Sequence, residues 1–328
     1  MKRKILLILY FVCYYLGIIN LFYFLNRRKQ CVLVFHHIIP DKYLNNSFEQ
    51  GIVCTSQSQF RFILTIINKR YEITTEIGKP HTAMITFDDG YRAALIAKEE
   101  LDKFDNKAFF FVPLSVVGEG PLWVDYIMGW IAYIPDGSYS INDKIYYLNT
   151  IESRQKAFSE IIDSLYQSGN YNYRQILTQL EEIKTFSDLP ISKSYVEIRF
   201  KGLANVELEN LKKEGHMVGG HSTNHDILSC LSVKDLITDF EDCSKEIGNL
   251  YNSYLYAYPF GHERDVSDEC INVCTHSGFK RALMNEYVKN SSPYKMSRLN
   301  VSMCDSRYEI EAKLSGLTQF LKNAFPRK

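Results

Sequence analysis

Two short stretches carry residue types that could do chemistry together. In MITFDDGY, residues 84–91, an apolar run ends on adjacent carboxylates, Asp88 and Asp89, followed by Gly90. In GGHSTNHD, residues 219–226, His221 and His225 stand four apart. Either motif has a plain structural reading. Asp-Gly is common where strands turn, and a His-x-x-x-His pair can be a solvated helix face. Two adjacent carboxylates, however, are costly if both are buried and ionised, unless a cation takes one of them. Two imidazoles at i and i+4 project from one face of a helical turn. Two histidines with one carboxylate hold Zn²⁺ and leave a position open for water and substrate. One aspartate can then bind metal while its neighbour stays free as a base.

For the two stretches to meet, they must stand on one rim. Apolar runs alternating with helical patterns predict strands at Cys31–Phe35, Thr82–Phe87 and Lys107–Val112, with helices over 57–69, capped by Ser56, and 91–104. The rhythm resumes with a helix over 206–214, a strand over 216–220, a helix over 233–250 begun by Ser232, and a strand over 255–258. A helix over 266–277, a strand over 279–284 and a helix over 307–324 complete it. Strands alternating with helices imply an α/β fold with a mainly parallel sheet, and six or seven strands favour a barrel over an open sheet. In such a barrel, residues at the C-terminal strand ends converge on one face. Between about 119 and 199 the sequence becomes helix-rich and carries eleven tyrosines and tryptophans, which reads as an insertion over one loop.

The chain of 328 residues is 46% hydrophobic and 14% aromatic, enough for a full core. Lys plus Arg and Asp plus Glu both number 38, so no overall basic field argues for nucleic acid. Eight cysteines follow neither a disulfide framework nor a four-ligand zinc pattern and read mostly as buried thiols. Residues 5–25 carry no charge and are bracketed by Lys2-Arg3-Lys4 and Arg27-Arg28-Lys29. That length predicts a single N-terminal membrane-anchor helix, residues 1–29 with the basic flank, ahead of a catalytic domain over 30–328. A buried or amphipathic helix docked on the domain is the alternative, because Tyr10, Tyr14, Tyr15 and Asn20 dilute the run. Positive charge on both flanks leaves the side of the membrane open.

With AYPFG, residues 257–261, and the opening VLVFHHIIP, these motifs resemble the polysaccharide deacetylases, the NodB-like or chitin deacetylase-like carbohydrate esterases. The resemblance covers roughly residues 31–115 and 200–305. It implies a distorted (β/α) barrel of about seven strands and a divalent metal, Zn²⁺ foremost, held by Asp89, His221 and His225. It makes Asp88 the general base and the Phe260 N–H an oxyanion donor. Tyr258, Pro259 and Trp123 would contact substrate, and His36 would line the pocket or pack in the core. Many relatives carry an arginine where Ala257 stands here, so Arg298 in MSRLNV is the candidate replacement for orienting the base. A late Leu-x-His motif is missing, since no histidine follows His276. His262 and His37 are then the candidates for the acid. The implied activity is removal of N-acetyl groups from a sugar of a polysaccharide, lipid-linked glycan or glycolipid. A catalytically weak glycan-binding relative is the alternative.

Overall fold

The computed structural model describes residues 2–44, 48–51, 53–167 and 171–324. Two helices come first, α1 (Lys2–Tyr15) and α2 (Ile18–Leu25). Then follow β1 (Cys31–Phe35), β2 (His37–Ile39), β3 (Cys54–Ser56), α3 (Gln57–Arg70), β4 (Glu72–Ile73), β5 (Thr82–Phe87), α4 (Ala93–Asp102) and β6 (Phe109–Val112). The insertion holds α5 (Trp123–Tyr133), the hairpin β7 (Ser138–Ile141) and β8 (Lys144–Tyr147), α6 (Ile151–Gln167), α7 (Tyr173–Ile183) and α8 (Lys193–Arg199). After it run α9 (Asn205–Lys213), β9 (Met217–Gly220), α10 (Val233–Tyr251), β10 (Leu255–Ala257), α11 (Asp268–His276), β11 (Arg281–Leu283), β12 (Leu299–Asn300), α12 (Arg307–Ser315) and α13 (Leu317–Ala324).

Seven parallel strands form a half-barrel in the order β11-β10-β9-β6-β5-β1-β12, with β4 paired on β5. The apolar runs of β5 and β6 are buried throughout, as parallel strands covered on both faces require. Register sets the rim. Phe35 pairs with Phe87, Phe87 with Phe110, Val112 with Gly220, and Gly220 with Tyr256. The residues just past these rungs include Asp88 and His221, so the two chemical motifs emerge side by side. The edge strands β11 and β12 do not pair with each other, and a single bridge, Leu283 to Met296, partly closes the gap. Ser56, Ser232 and Ser267 each accept a backbone N–H at the start of α3, α10 and α11.

Two helices expected to be continuous are broken. The run over 307–324 divides at Gly316, whose φ of 86° ends α12. The predicted single N-terminal anchor helix is instead a pair bent by 80° at Gly17, φ 75°, and no single helix among the described residues is long and apolar enough to cross a membrane. Polar groups in and just after this segment find partners on the domain. Tyr23 donates to Glu311 at 2.9 Å, Asn26 donates to the Ser315 carbonyl at 2.9 Å, and Asn20 accepts from Arg70 at 3.2 Å. Tyr10, Cys13 and Ile19 pack against Ala312 and Leu317. All eight cysteines are free.

Candidate active site

At the end of β5 the backbone turns sharply, Asp89 taking a φ of 75° and Gly90 one of 67°. A Cβ on Gly90 would meet Val112 Cγ1 at 2.7 Å, so the turn admits only glycine. Both carboxylates are buried. Arg298, also buried, clamps Asp88 with two hydrogen bonds of 2.7 and 2.6 Å. Its remaining donors reach the Met284 carbonyl at 2.7 Å and Thr86 at 3.1 Å. Burial works to raise the Asp88 pKa, but the Arg298 guanidinium and nearby His221 outweigh it and keep the carboxyl below its ordinary range. The residue suggested for orienting the base therefore lies against it, reached from the segment that bridges the open edge of the sheet.

Asp89 faces the histidines. Its Oδ1 lies 3.5 Å from His221 Nε2 and 3.4 Å from His225 Nε2. One ligand atom from each of the three residues falls within 4.8 Å of the others. Three ligands bound tetrahedrally at about 2.1 Å would stand about 3.4 Å apart, so the donor set fits one divalent ion. His221 Nδ1 lies 2.7 Å from the Ala257 carbonyl, which can only accept. The proton therefore sits on Nδ1 and the Nε2 lone pair points at Asp89, the orientation a metal ligand needs. Burial works to raise the Asp89 pKa, but the imidazoles of His221, His225 and His37 packed against it hold it well below the ordinary value.

The two histidines do not share a helical turn, as their spacing suggested. The stretch after β9 is a loop in which Ser222 and His225 adopt left-handed φ values of 67° and 57°. Hydrogen bonds replace the helix. His225 N–H donates to Ser222 Oγ at 2.9 Å, Thr223 N–H donates to Asp239 at 2.7 Å, and Ser115 N–H donates to the Thr223 carbonyl at 2.8 Å. Among the described residues, four of the nine non-glycine residues with positive φ (Asp89, Ser222, His225 and Phe260) lie in this rim, the concentration expected where backbone strain serves a site.

Phe260 takes a φ of 56°, and among the described residues no group accepts its N–H. Its ring lies 5.0 Å from that of His225. Pro259 is buried beneath it. Two expected substrate contacts need correction. Tyr258 is fully buried and donates to the Tyr294 carbonyl at 3.0 Å, so its side chain belongs to the core and only its backbone reaches the rim. Trp123 is buried with Tyr173 stacked on its ring at 4.7 Å, and its Nε1 donates to the His225 carbonyl at 3.0 Å. It braces the histidine loop and offers no open face to a sugar. His36 is half-buried and lines a cleft of about 140 Å³ with Asn300 and Met303.

Of the two acid candidates, His262 is half-exposed, its Nδ1 3.5 Å from Glu286, with no described contact to Asp88, Asp89, His221 or His225. His37 is fully buried, with Nε2 3.4 Å from Asp89 Oδ2 and its ring 5.0 Å from Tyr91. Burial, helped by the positive charge of Arg199, pushes His37 down to about 4 against the pull of Asp89, so it is neutral at neutral pH. Beneath it lies a network no motif announced. Tyr91 donates to Asp125 at 2.8 Å and accepts from Leu122 N–H at 2.7 Å, Arg199 donates to Asp125 at 2.7 Å, and Glu49 lies 3.7 Å from Arg199. Asp125 and Arg199 belong to the insertion, where lone charges among aromatic residues give no periodic signal.

No family model matches the chain, and neither does any curated protein. Solved structures do match. The deacetylase PplD of Streptococcus pyogenes, in complex with acetate, superposes with a TM-score of 0.53 at 14% identity, over 87% of this chain and 98% of that one. A polysaccharide deacetylase from Bacillus cereus gives 0.54 at 14% identity, over 87% and 69%. A de-N-acetylase from Aggregatibacter actinomycetemcomitans gives 0.53 at 13% identity, over 87% and 100%. The chain has the fold of the polysaccharide deacetylases, in a divergent sequence.

Proposed function

We propose that this protein is a metal-dependent carbohydrate N-deacetylase that removes the acetyl group from an N-acetylated sugar of a polysaccharide, lipid-linked glycan or glycolipid. One observation carries the reading: a buried carboxylate clamped by Arg298 stands next to a second carboxylate that faces two histidines. A purely structural turn has no use for both. Asp89, His221 and His225 would hold a divalent ion such as Zn²⁺, which would supply Lewis acidity at the acetyl carbonyl and acidify the attacking water.

The chain's own groups do the rest. Asp88, kept ionised by Arg298, takes the proton from water as its oxygen attacks the acetyl carbon. The Phe260 N–H donates to the oxyanion that develops there. The C–N bond then breaks, acetate leaves, and the proton held on Asp88 returns to the sugar nitrogen as it departs as an amine. Asp88 thus serves as both base and acid, which suits a site where His262 pairs with Glu286 and His37 is buried and neutral beside Asp89. The lack of a separate acid is also what would favour the second reading, a weakly active glycan-binding relative.

Acetate release from a panel of N-acetylhexosamine glycans and lipid-linked sugars, with and without chelator, separates the two. Chelator-sensitive release is expected, and Asp88→Asn should retain bound metal while turnover falls by about two to four orders of magnitude. Release that persists in chelator, or an unimpaired Asp88→Asn enzyme, removes the mechanism. Glycan binding without release across the panel leaves the binding relative.

A further inference from the structure

The N-terminal helix pair presents the largest concentration of exposed apolar side chains on the molecule. Of the 23 large hydrophobic residues exposed in the described chain, 10 fall within residues 5–25. Leu16 is 70% exposed and Ile8 64%, and Ile5, Leu21, Phe24 and Leu25 are also open. The opposite face of the same helices is committed to the domain through Tyr10, Cys13 and Ile19. The pair is therefore amphipathic in the sense opposite to a surface helix of a soluble protein: one apolar face is docked and a second is bare.

Charge gives the bare face a direction. Residues 1–40 contain no aspartate or glutamate, while Lys2, Arg3, Lys4, Arg27, Arg28 and Lys29 lie among them, in a chain whose total charges balance at 38 of each sign. Arg3, Lys4, Arg27, Arg28 and Lys29 are exposed, at the two ends of the apolar patch. Arg27 also lies over the Phe24 ring at 3.9 Å, keeping its charge beside the patch. An apolar strip with basic ends matches an anionic bilayer surface, where acyl chains meet phosphate headgroups.

Length rules on the mode. At 14 and 8 residues the helices span about 21 and 12 Å, each short of the roughly 30 Å hydrocarbon core, and the 80° bend at Gly17 prevents them from adding end to end. Beside Leu25 a cavity of about 750 Å³, lined by Phe22, Phe320 and Lys29 among others, continues the apolar surface inward. We propose that α1 and α2 form an in-plane membrane-docking element that lays residues 5–25 into the headgroup boundary of an anionic bilayer without spanning it. The proposal is independent of the deacetylase reading.

The test uses the full chain with vesicles of phosphatidylcholine alone and of phosphatidylcholine with phosphatidylglycerol. Co-sedimentation should be at least about tenfold stronger on the anionic vesicles and should be released by alkaline carbonate. The double variant Ile8→Glu/Phe24→Glu should lose binding by a similar factor, as should Arg27→Glu/Arg28→Glu, each with an unchanged melting curve, since all four side chains are exposed. Phe62→Glu, at an exposed apolar position of α3, should bind like the parent. Three outcomes overturn the proposal: no partition onto either vesicle, carbonate-resistant association, which marks a spanning segment, or a lipid-free dimer that Ile8→Glu/Phe24→Glu disperses.

Discussion

At the scale of single residues, the pairing of Asp88 with Arg298 decides what the site can do. A carboxylate so deeply buried stays charged only if a fixed cation compensates it, and the bidentate fork of arginine also fixes its direction. Arg298→Met should therefore cost twice. Breaking a buried pair from one side destabilises by about 3–5 kcal/mol, and a protonated Asp88 can no longer accept from water, so turnover should fall by about a hundredfold or more. Arg298→Lys should recover charge but not the fork, and land in between. Melting and turnover both near the parent's in Arg298→Met would show the pair to be idle. The two aspartates and two histidines were legible because their types and order carry the chemistry on their own. Arg298 was legible only through the alanine at 257. Which of His36 and His37 faces Asp89 was not, because neighbouring residues point to opposite sides and only the register of β2 against β3 decides between them.

At the scale of elements, the insertion is tied into the site through a single indole. Trp123, at the start of α5, donates to the carbonyl of His225, whose backbone is already in a strained conformation. Trp123→Phe keeps the packing and loses the donor, so metal affinity measured by titration should drop by about tenfold with little change in melting temperature. An unchanged affinity would make the indole mere filling. The clamp between α3 and α4 responds to pH. Arg61, joined by Lys103 and Gln57, holds the buried Glu100 carboxyl down to about 2, against 4.5 ordinarily. A lowered folded-state pKa stabilises fully above about 4.5 and is lost as pH falls toward 2. Glu100→Gln should thus melt a few degrees lower at pH 7, a loss of about 1 kcal/mol given the half-exposed Arg61, and the gap should close below pH 4. A gap that holds constant with pH would exclude this origin. Six of the seven half-barrel strands were legible from apolar runs, and α3 and α10 from their serine caps, whereas the two-residue β12 was not. The loop form of the histidine motif was not, since it depends on left-handed turns held by Asp239, 14 residues beyond His225.

At the scale of the whole molecule, the two ends of the chain are packed on each other. The inner face of α1 and α2 covers α12 and α13, so a chain starting at Gln30 uncovers Ala312 and Leu317 and leaves Glu311 without the Tyr23 hydroxyl. That chain should melt several degrees below the parent, and equal melting temperatures would show the pair to be a detachable appendage. The run of 21 uncharged residues was legible, but its division was not, because a lone glycine at 17 leaves open whether a helix continues or turns until the docking partner is known. The span between Asp88 and Arg298 is of the same kind, 210 residues of sequence closed by one ion pair. During synthesis the aspartate leaves the ribosome long before its guanidinium does. Until then β12 has not joined the sheet and the Asp88 carboxylate lacks its counter-charge, so an unfinished chain holds both aspartates and both histidines without the cation that keeps Asp88 ionised.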